Sequence, residues 1–548
     1  MIKKFVQKTF IKERPLNSVA AAALIISLAG FASRILGIVR DHILAGTFGA
    51  GDTLDAYYAA FRIPDLIYNL MIVGALSAAF IPVFTELVSK EKEEDAWRCS
   101  SGVLSLQIIA TAVVSFFLVI FAPQLMKLVT PGFSGDKMNL TVLLTRIMFL
   151  STFFLGISGI FGGVLVSFKK FLVYSMAPIL YNIGIIIGAL FFVKYWGPVG
   201  LAWGVVLGAF MHMLIQYPSL KISGFKFRPV FFDALRNDSV RKVLRLMVPR
   251  TMTVAVSQIN FTIITIFAST LAGGSLAVFN FANNIQSAPL GLFGISFSIA
   301  VFPTLSALAA QKNNDKFLDI YSKTFRQILF FVIPMSMMLY VLRAQAVRLM
   351  LGSGKFDWND TILTFQTLGI FVISLFAQSI IPLVTRAFYA IQNTMTPFYI
   401  TIASVGVSIL TSFVMIKHYQ IFGLAFAYSF SSVVEMVLLM YFLRRNIGRI
   451  DGKKIWRSAG KIMAASFVAG GAAQVAKIVV GTQGELDTVL AVLNQFIIAS
   501  LTGLAAFTLA SYYFKVDEFF QFKDAITRKL FRIKRSIGEG TEEVTGIN

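Results

Sequence analysis

Runs of about twenty apolar residues recur along the whole chain, and a segment of that length crosses the hydrocarbon core of a bilayer as a single helix. Ile108 to Phe121, extended at both ends, Ile179 to Val193 and Phe496 to Tyr513 are three such runs. Backbone N–H and C=O groups find no water in lipid, so a chain patterned this way must satisfy them within α-helices. Of the 548 residues 57% are hydrophobic and 14% charged, with a mean hydropathy of +0.75. That is far above a soluble globular domain. No stretch between the runs is long enough for a folded soluble domain. The expected fold class is an all-α polytopic membrane protein of about fourteen transmembrane helices.

The net charge of +22 must be read by location before it is read by partner. With spans placed on the apolar runs, roughly 35 Lys and Arg fall in the termini and even-numbered loops and roughly 7 in the odd-numbered loops. Both termini are then cytoplasmic. The densest inner segments are Lys221 to Arg245 and Arg444 to Lys461, whereas Ala272 to Ser275 and Gly481 to Asp487 carry no base. The basic excess is thus a topology signal, not a nucleic-acid site. The lysines of Met1 to Pro15 precede an apolar run that continues to Arg40 without a small-residue cleavage pattern, so it reads as a retained first span. The tail, Val516 to Ile537, interleaves Phe519, Phe520 and Ile526 with Lys523, Arg528 and Lys529, the pattern of a basic amphipathic helix on the inner leaflet. One cysteine, Cys99, and three scattered histidines leave no disulfide scaffold and no metal cluster to expect.

The chain matches itself weakly at an offset of roughly 222 residues. Ser33-Arg34-Ile35 faces Ser257-Gln258-Ile259, Ala45-Gly46-Thr47 faces Ala268-Ser269-Thr270, Ala50-Gly51 faces Gly273-Gly274, and Phe80-Ile81-Pro82 faces Val301-Phe302-Pro303. Six spans separate the copies, so they share one orientation and are related by an axis along the membrane normal. Two six-helix lobes around a central cleft follow, with two extra C-terminal helices. The expected organisation is a basic cytoplasmic N-terminus (1–17), an N-lobe (18–220), a cytoplasmic linker (221–242), a C-lobe (243–443), the last two spans (444–513) and a basic tail (514–548). A cleft between repeats suits alternating access better than a pore does.

Charges inside the membrane are costly and mark candidate sites. In the first span Arg34, Gly37 and Asp41 share one helical face over about two turns, with Gly37 as a notch, while Arg40 points about 120° away. A guanidinium fits phosphate oxygens bidentately; an Arg–Asp ion pair holding the bundle, or Arg40 reaching to an interface, are the alternatives. Arg62 and Asp65 flank Pro64, which breaks the second span. Arg250 follows Pro249 near the start of the seventh span, as site or anchor, and Arg386 near the inner end of the tenth reads as an anchor. Glu435, in the twelfth span, is a candidate ion site with Asp41 and Asp65. Asn280, Asn283, Asn284 and Ser287 form a polar stripe on the eighth span, facing either neighbouring helices or the cleft.

These residues resemble the MurJ (MviN) lipid II flippase family, within the multidrug/oligosaccharidyl-lipid/polysaccharide exporter superfamily. The likeness runs through Ser33-Arg34-Ile35-Leu36-Gly37-Ile38-Val39-Arg40-Asp41, Phe48-Gly49-Ala50-Gly51, Asp55-Ala56, Phe61-Arg62-Ile63-Pro64-Asp65-Leu66 and Ala79-Phe80-Ile81-Pro82. It continues at Thr130-Pro131-Gly132-Phe133, Ala177-Pro178 with Asn182, Gly354-Lys355-Phe356, and Arg386-Ala387-Phe388-Tyr389-Ala390 with Thr396-Pro397. The resemblance implies a substrate, the undecaprenyl-diphosphate-linked peptidoglycan precursor, moved from the inner to the outer leaflet. It implies that Arg34 and Arg40 bind diphosphate, with Asp41 and Asp55 as associated acids, and that the last two helices shape a groove for the lipid tail. Ala464, Ala465, Gly470, Gly471, Ala472 and Ala473 supply small residues for that groove or for helix packing. Family basic and acidic positions of the second and eighth spans are here Tyr68, Asn69 and Val73, and Asn283, Asn284 and Ser287, so either Arg62 and Arg250 compensate or headgroup and coupling differ from the family norm. No cofactor is expected; coupling to the membrane potential, H+ or Na+ is. Expected partners are the lipid-linked precursor, membrane lipids and cell-wall synthesis proteins, with no nucleic acid. The competing readings are another polyprenyl-linked oligosaccharide, a drug, or a transport-incompetent cell-wall scaffold; no nucleophile–base set favours an enzyme.

Overall fold

The computed structural model describes residues 19–73, 79–230, 233–448, 450–482, 488–524 and 527, the side chains of 19–24, 72–73, 233, 248–250, 252–254 and 257 excepted. The helices are α1 (Val19–Phe48), α2 (Asp52–Ala60), α3 (Arg62–Tyr68), α4 (Ile81–Ser89), α5 (Glu93–Ile120), α6 (Ala122–Val129), α7 (Gly135–Ser167), α8 (Phe171–Ile187), α9 (Val199–Leu214) and α10 (Tyr217–Ile222). They continue as α11 (Asp238–Ser269), α12 (Ser275–Pro289), α13 (Ser296–Ala310), α14 (Asn314–Val341), α15 (Arg343–Leu351), α16 (Trp358–Ile373), α17 (Leu375–Ala390), α18 (Met395–Ile447), α19 (Gly452–Gly481) and α20 (Val489–Tyr513). No strand occurs among the described residues, so the all-α polytopic class holds.

Among the described residues nine helices are long and apolar enough to cross a membrane, and a tenth is added by α16 and α17, bent by 46° across Ser374. The difference from fourteen expected spans has physical causes. α18 runs for 53 residues, about 80 Å at 1.5 Å per residue, far more than one bilayer. Its Gln420 leaves the helical region at φ 48° and ψ −126°, and a Cβ on Gly423 would lie 2.5 Å from Met415 O, so two spans meet there in a tight turn. The first and seventh expected spans each include side chains outside the described residues, so neither enters that number. The second is broken. Pro64 sits in the first turn of α3, where its missing N–H leaves no bond unmade, and α3 ends in a π-helical turn, Asn69–Val73. Arg62 therefore opens a new helix in mid-span.

Two compact units arise by packing. One comprises the chain up to Phe281 with Met350–Thr364 and Ser408–Leu424; the other comprises Ala282–Leu349, Phe365–Val407 and the chain from Ala425 on. In the first, α8 and α9 approach through glycines. A Cβ on Gly204 would lie 2.6 Å from Gly188 Cα, and one on Gly184 would overlap Gly208. Lipid offers no hydrophobic drive to pair helices, so such backbone approach supplies the packing. Gly204→Val is expected to cost about 3 kcal/mol, because the obstacle is backbone that cannot yield. Gly471→Val, whose Cβ meets nothing within 4 Å, should leave the melting temperature in detergent within a degree or so. Equal effects of the two would sink the packing account.

In the second unit α14 contributes Tyr321, Phe325, Ile328 and Val332 to a core shared with Leu383 and Phe388 of α17 and Ile462, Ala465 and Ala469 of α19. Gly470 lies under Met337, and Gly503 of α20 under Met338 and Ala473. Helix packing thus accounts for Ala465, Gly470 and Ala473, while Ala464 and Gly471 stay exposed. Glu518, 3% exposed, accepts hydrogen bonds from Arg326 of α14 at 2.5 Å and from Ser458 of α19 at 2.7 Å, tying the segment after α20 to both helices. Residues 517–524 are helical and turn Phe519 and Phe522 onto this core. The rest of the expected amphipathic tail, and the N-terminus before Val19, lie outside the described residues.

Candidate functional site

The charged residues of the first span are placed by α1. Arg40 does not point away from Asp41 as the helical spacing predicts: its long side chain folds back, with Nε 3.0 Å and Nη2 2.8 Å from Asp41 Oδ1. Nη1 donates to Asn182 Oδ1 of α8 at 3.1 Å, and Asn182 Nδ2 donates to Ser33 O and Oγ at 3.3 Å. Asp41 is 6% exposed. The ion-pair alternative is what this geometry contains for Arg40 and Asp41. Arg34, further along α1, is exposed to the surroundings of the unit, and a Cβ at Gly37 would meet nothing within 4 Å. An accessible guanidinium beside an open notch is what an anion would need.

Arg62 is positioned by the break at Phe61. Its Nε donates to Thr265 Oγ1 of α11 at 2.7 Å and its Nη2 to Asn280 Oδ1 of α12 at 2.9 Å, with the guanidinium 5.8 Å from the centre of the Phe261 ring. Asn280 in turn donates to Leu276 O. Among the described residues no carboxylate lies within ion-pair distance of Arg62. Neutral acceptors orient its charge at bonding distance, and Asp65 on the next turn acts on it only at longer range. Asp65, on the next turn, is half-buried, and its backbone C=O accepts from Asn69 Nδ2 at 2.8 Å.

Asp55 serves a different end of the unit. Buried to 1% exposure, it accepts from Gly274 N at 2.7 Å and Ala277 N at 2.9 Å, so it caps α12. Lys137 of α7 donates to Asp55 at 2.8 Å and to Asp52 at 2.6 Å, over the face of Phe133. Gly274 has φ +87°, and a Cβ there would overlap Ala50 O. Nearby, Ala50 N donates to Asp360 Oδ2 at 2.8 Å, Lys355 N to Gly46 O at 2.8 Å, and the His42 ring lies 3.0 Å from Met350 O. On the topology expected from the loop charges this is the outer side. The result is a multi-strand lock of backbone and side-chain bonds.

The polar stripe of α12 divides. Asn280 belongs with Arg62; Asn283 accepts from Gln286 Nε2 at 3.0 Å, and Gln286 accepts from Gln378 of α17 at 3.2 Å, which also reaches Ser374. Asn284 is half-buried, its C=O accepting from Ser287. Glu435 accepts from Thr401 at 2.9 Å and Ser404 at 3.2 Å. Arg386 reaches Pro382 O at 3.5 Å. The side chain of Arg250 lies outside the described residues. Lys137, Thr265, Gln286 and Gln378 escaped the sequence reading; amides inside apolar runs are the signal that marks Gln286 and Gln378, since they are not tolerated in lipid unpaired. Among the described residues no His/Cys/Asp/Glu group could hold a metal ion.

A family model described as lipid II flippase MurJ matches residues 44–495. The probable lipid II flippase MurJ of Buchnera aphidicola subsp. Baizongia pistaciae is 30% identical over 447 residues, covering 81% of this chain and 87% of that protein. The lipid II flippase MurJ of Burkholderia cenocepacia is 28% identical over 431 residues, covering 77% and 83%. A solved lipid II flippase MurJ in an inward closed conformation matches with a TM-score of 0.73 at 26% identity, over 90% of this chain and 99% of that one. An inward-facing multidrug resistance transporter of the MATE family, in the MOP superfamily, matches in fold, with a TM-score of 0.66 at 16% identity over 76% and 96%. The motifs along α1 to α4, the helical architecture and these matches agree: the chain belongs to the MurJ lipid II flippase family.

Proposed function

We propose that the chain is a lipid II flippase of the bacterial inner membrane, moving the undecaprenyl-diphosphate-linked peptidoglycan precursor from the inner to the outer leaflet by alternating access. The observation that carries this reading is Arg62, a mid-span cation held by Thr265 and Asn280 and, among the described residues, in no direct salt bridge. With Arg34 and Arg40 it supplies forked donors for a diphosphate, and Asn283 and Asn284 stand where family relatives carry charges. Both termini are cytoplasmic in this reading, as the loop charges require. The diphosphate leaves a negative interior, so the membrane potential favours export by about 2.3 kcal/mol per charge per 100 mV. Asp41, Asp65 and Glu435 are the positions at which H+ or Na+ would couple to the return step, and no cofactor enters.

Complementation of cells depleted of their own lipid II flippase tests the reading. Wild type is expected to restore growth, and Arg34→Ala and Arg40→Ala to abolish it at matched membrane levels. Failure of well-inserted wild type together with absent lipid II transport in vesicles would overturn the cargo; rescue by both variants would overturn the arginine grip.

A further inference from the structure

A cleft of about 500 Å³ opens on the face that the loop charges assign to the cytoplasm, apart from the membrane-embedded site. One wall is a single face of α5: Glu94, Trp97, Arg98 and Ser101 stand at i, i+3, i+4 and i+7. The other is the segment after α10. Gly224, at φ +92°, turns the chain out of that helix, and the Arg228 and Val230 amides then donate to the hydroxyls of Ser101 at 3.4 Å and Ser105 at 3.2 Å. These bonds hold the segment against α5, and Lys226 and Arg228, two residues apart, both line the cleft. Trp97 is fixed by stacking on Phe168 at 5.6 Å and by an edge contact with Phe225.

Three bases thus surround one acid. Glu94 is engaged by Arg98 at 2.9 Å, and among the described residues no acid pairs with Lys226 or Arg228. A helix end alone would explain none of this, because the first turn of α5 is acidic, with Glu93, Glu94 and Asp95. Phe227, between Lys226 and Arg228 in sequence, and Leu235, next after the lining Ala234, are 43% and 50% exposed. An apolar rim next to paired cations is the arrangement that places a polar head in the cleft while chains run into the bilayer.

We propose that this cleft binds a phosphate ester at the inner face, through Lys226, Arg228 and Arg98, with the headgroup of an anionic phospholipid as the source that the apolar rim favours. Such a ligand tethers the segment between α10 and α11 to the membrane surface. The site is independent of the transport reading and stands or falls without it.

The test is titration of the purified full-length chain with phosphatidylglycerol, phosphatidylcholine and inorganic diphosphate, read by native mass spectrometry. Wild type is expected to retain phosphatidylglycerol over phosphatidylcholine, and Lys226→Gln/Arg228→Gln to bind it about tenfold more weakly. Arg98→Gln, on the opposite wall, should change in the same direction. Lys453→Gln/Lys454→Gln removes equal charge from another exposed inner segment and should change nothing. Competition by diphosphate assigns the site to phosphate groups in general; no competition assigns it to the lipid. Wild-type affinity in the Lys226/Arg228 variant, an equal loss in the Lys453/Lys454 control, or no preference over phosphatidylcholine overturns the proposal.

Discussion

Arg62→Ala is expected to abolish lipid II transport while leaving the protein folded and inserted. In wild type the guanidinium makes two charge-assisted bonds, to Thr265 and Asn280, each worth about 1.5–3 kcal/mol. Both partners are neutral and have other bonds: Thr265 Oγ1 donates to Phe261 O and Asn280 Nδ2 to Leu276 O. Truncation therefore breaks no direct salt bridge, and the stability loss should stay within about 1–2 kcal/mol. The transport loss should be far larger, about a hundredfold or more, because a diphosphate in a low-dielectric site depends on each fixed cation. Arg62→Lys keeps the charge but cannot span Thr265 and Asn280 while presenting a fork, so it should restore only part of the rate. Transport in vesicles, with a melting curve for each variant, separates the two effects. If Arg62→Ala transports normally, this cation has a structural role only.

What the sequence made legible was whatever depends on local spacing. The apolar runs specified helices in lipid, Pro64 marked the break that presents Arg62, and the 3.6-residue period placed Asn280, Asn283 and Asn284 on one face. Asn280 does meet Arg62, and Asn283 does enter an interhelical network. Spacing failed where a side chain is long or its partner distant. Arg40 diverges from Asp41 by about 100° at the backbone, yet its guanidinium returns to that carboxylate, because three methylenes reach further than the divergence. Arg326 and Glu518, 192 residues apart, could not be paired from periodicity, nor could Gln286 with Gln378. Asp55, expected beside the diphosphate, is occupied by the amides of α12. The weak repeat turned out to be informative there: Ala50-Gly51 and Gly273-Gly274 are corresponding turns by sequence, and in the structure Gly274 packs directly on Ala50 O.

That contact makes the outer lock the place where one residue should shift a conformational equilibrium. Asp55 receives two backbone amides and the Lys137 ammonium; Asp55→Ala leaves the amides unmet and Lys137 held by the exposed Asp52 alone. Breaking a buried charge pair by removing one partner costs about 3–5 kcal/mol, and every 1.4 kcal/mol is a tenfold change in a two-state ratio. The outward-closed state should therefore lose about a hundredfold or more of its population advantage. Gly274→Ala should act in the same direction through Ala50, since a methyl has no room and φ +87° disfavours any side chain. The measurement is labelling of a single cysteine at Ile38, an exposed position on α1, in a Cys99→Ser background with a thiol reagent that does not cross the membrane. Applied from outside, it should react faster in Asp55→Ala and Gly274→Ala than in the parent, and Asp55→Asn, which keeps an acceptor but no charge, should fall between. Faster labelling together with lost growth rescue shows that the lock must close for the cycle to turn. Unchanged labelling in both variants would show that these bonds cap α12 without governing access.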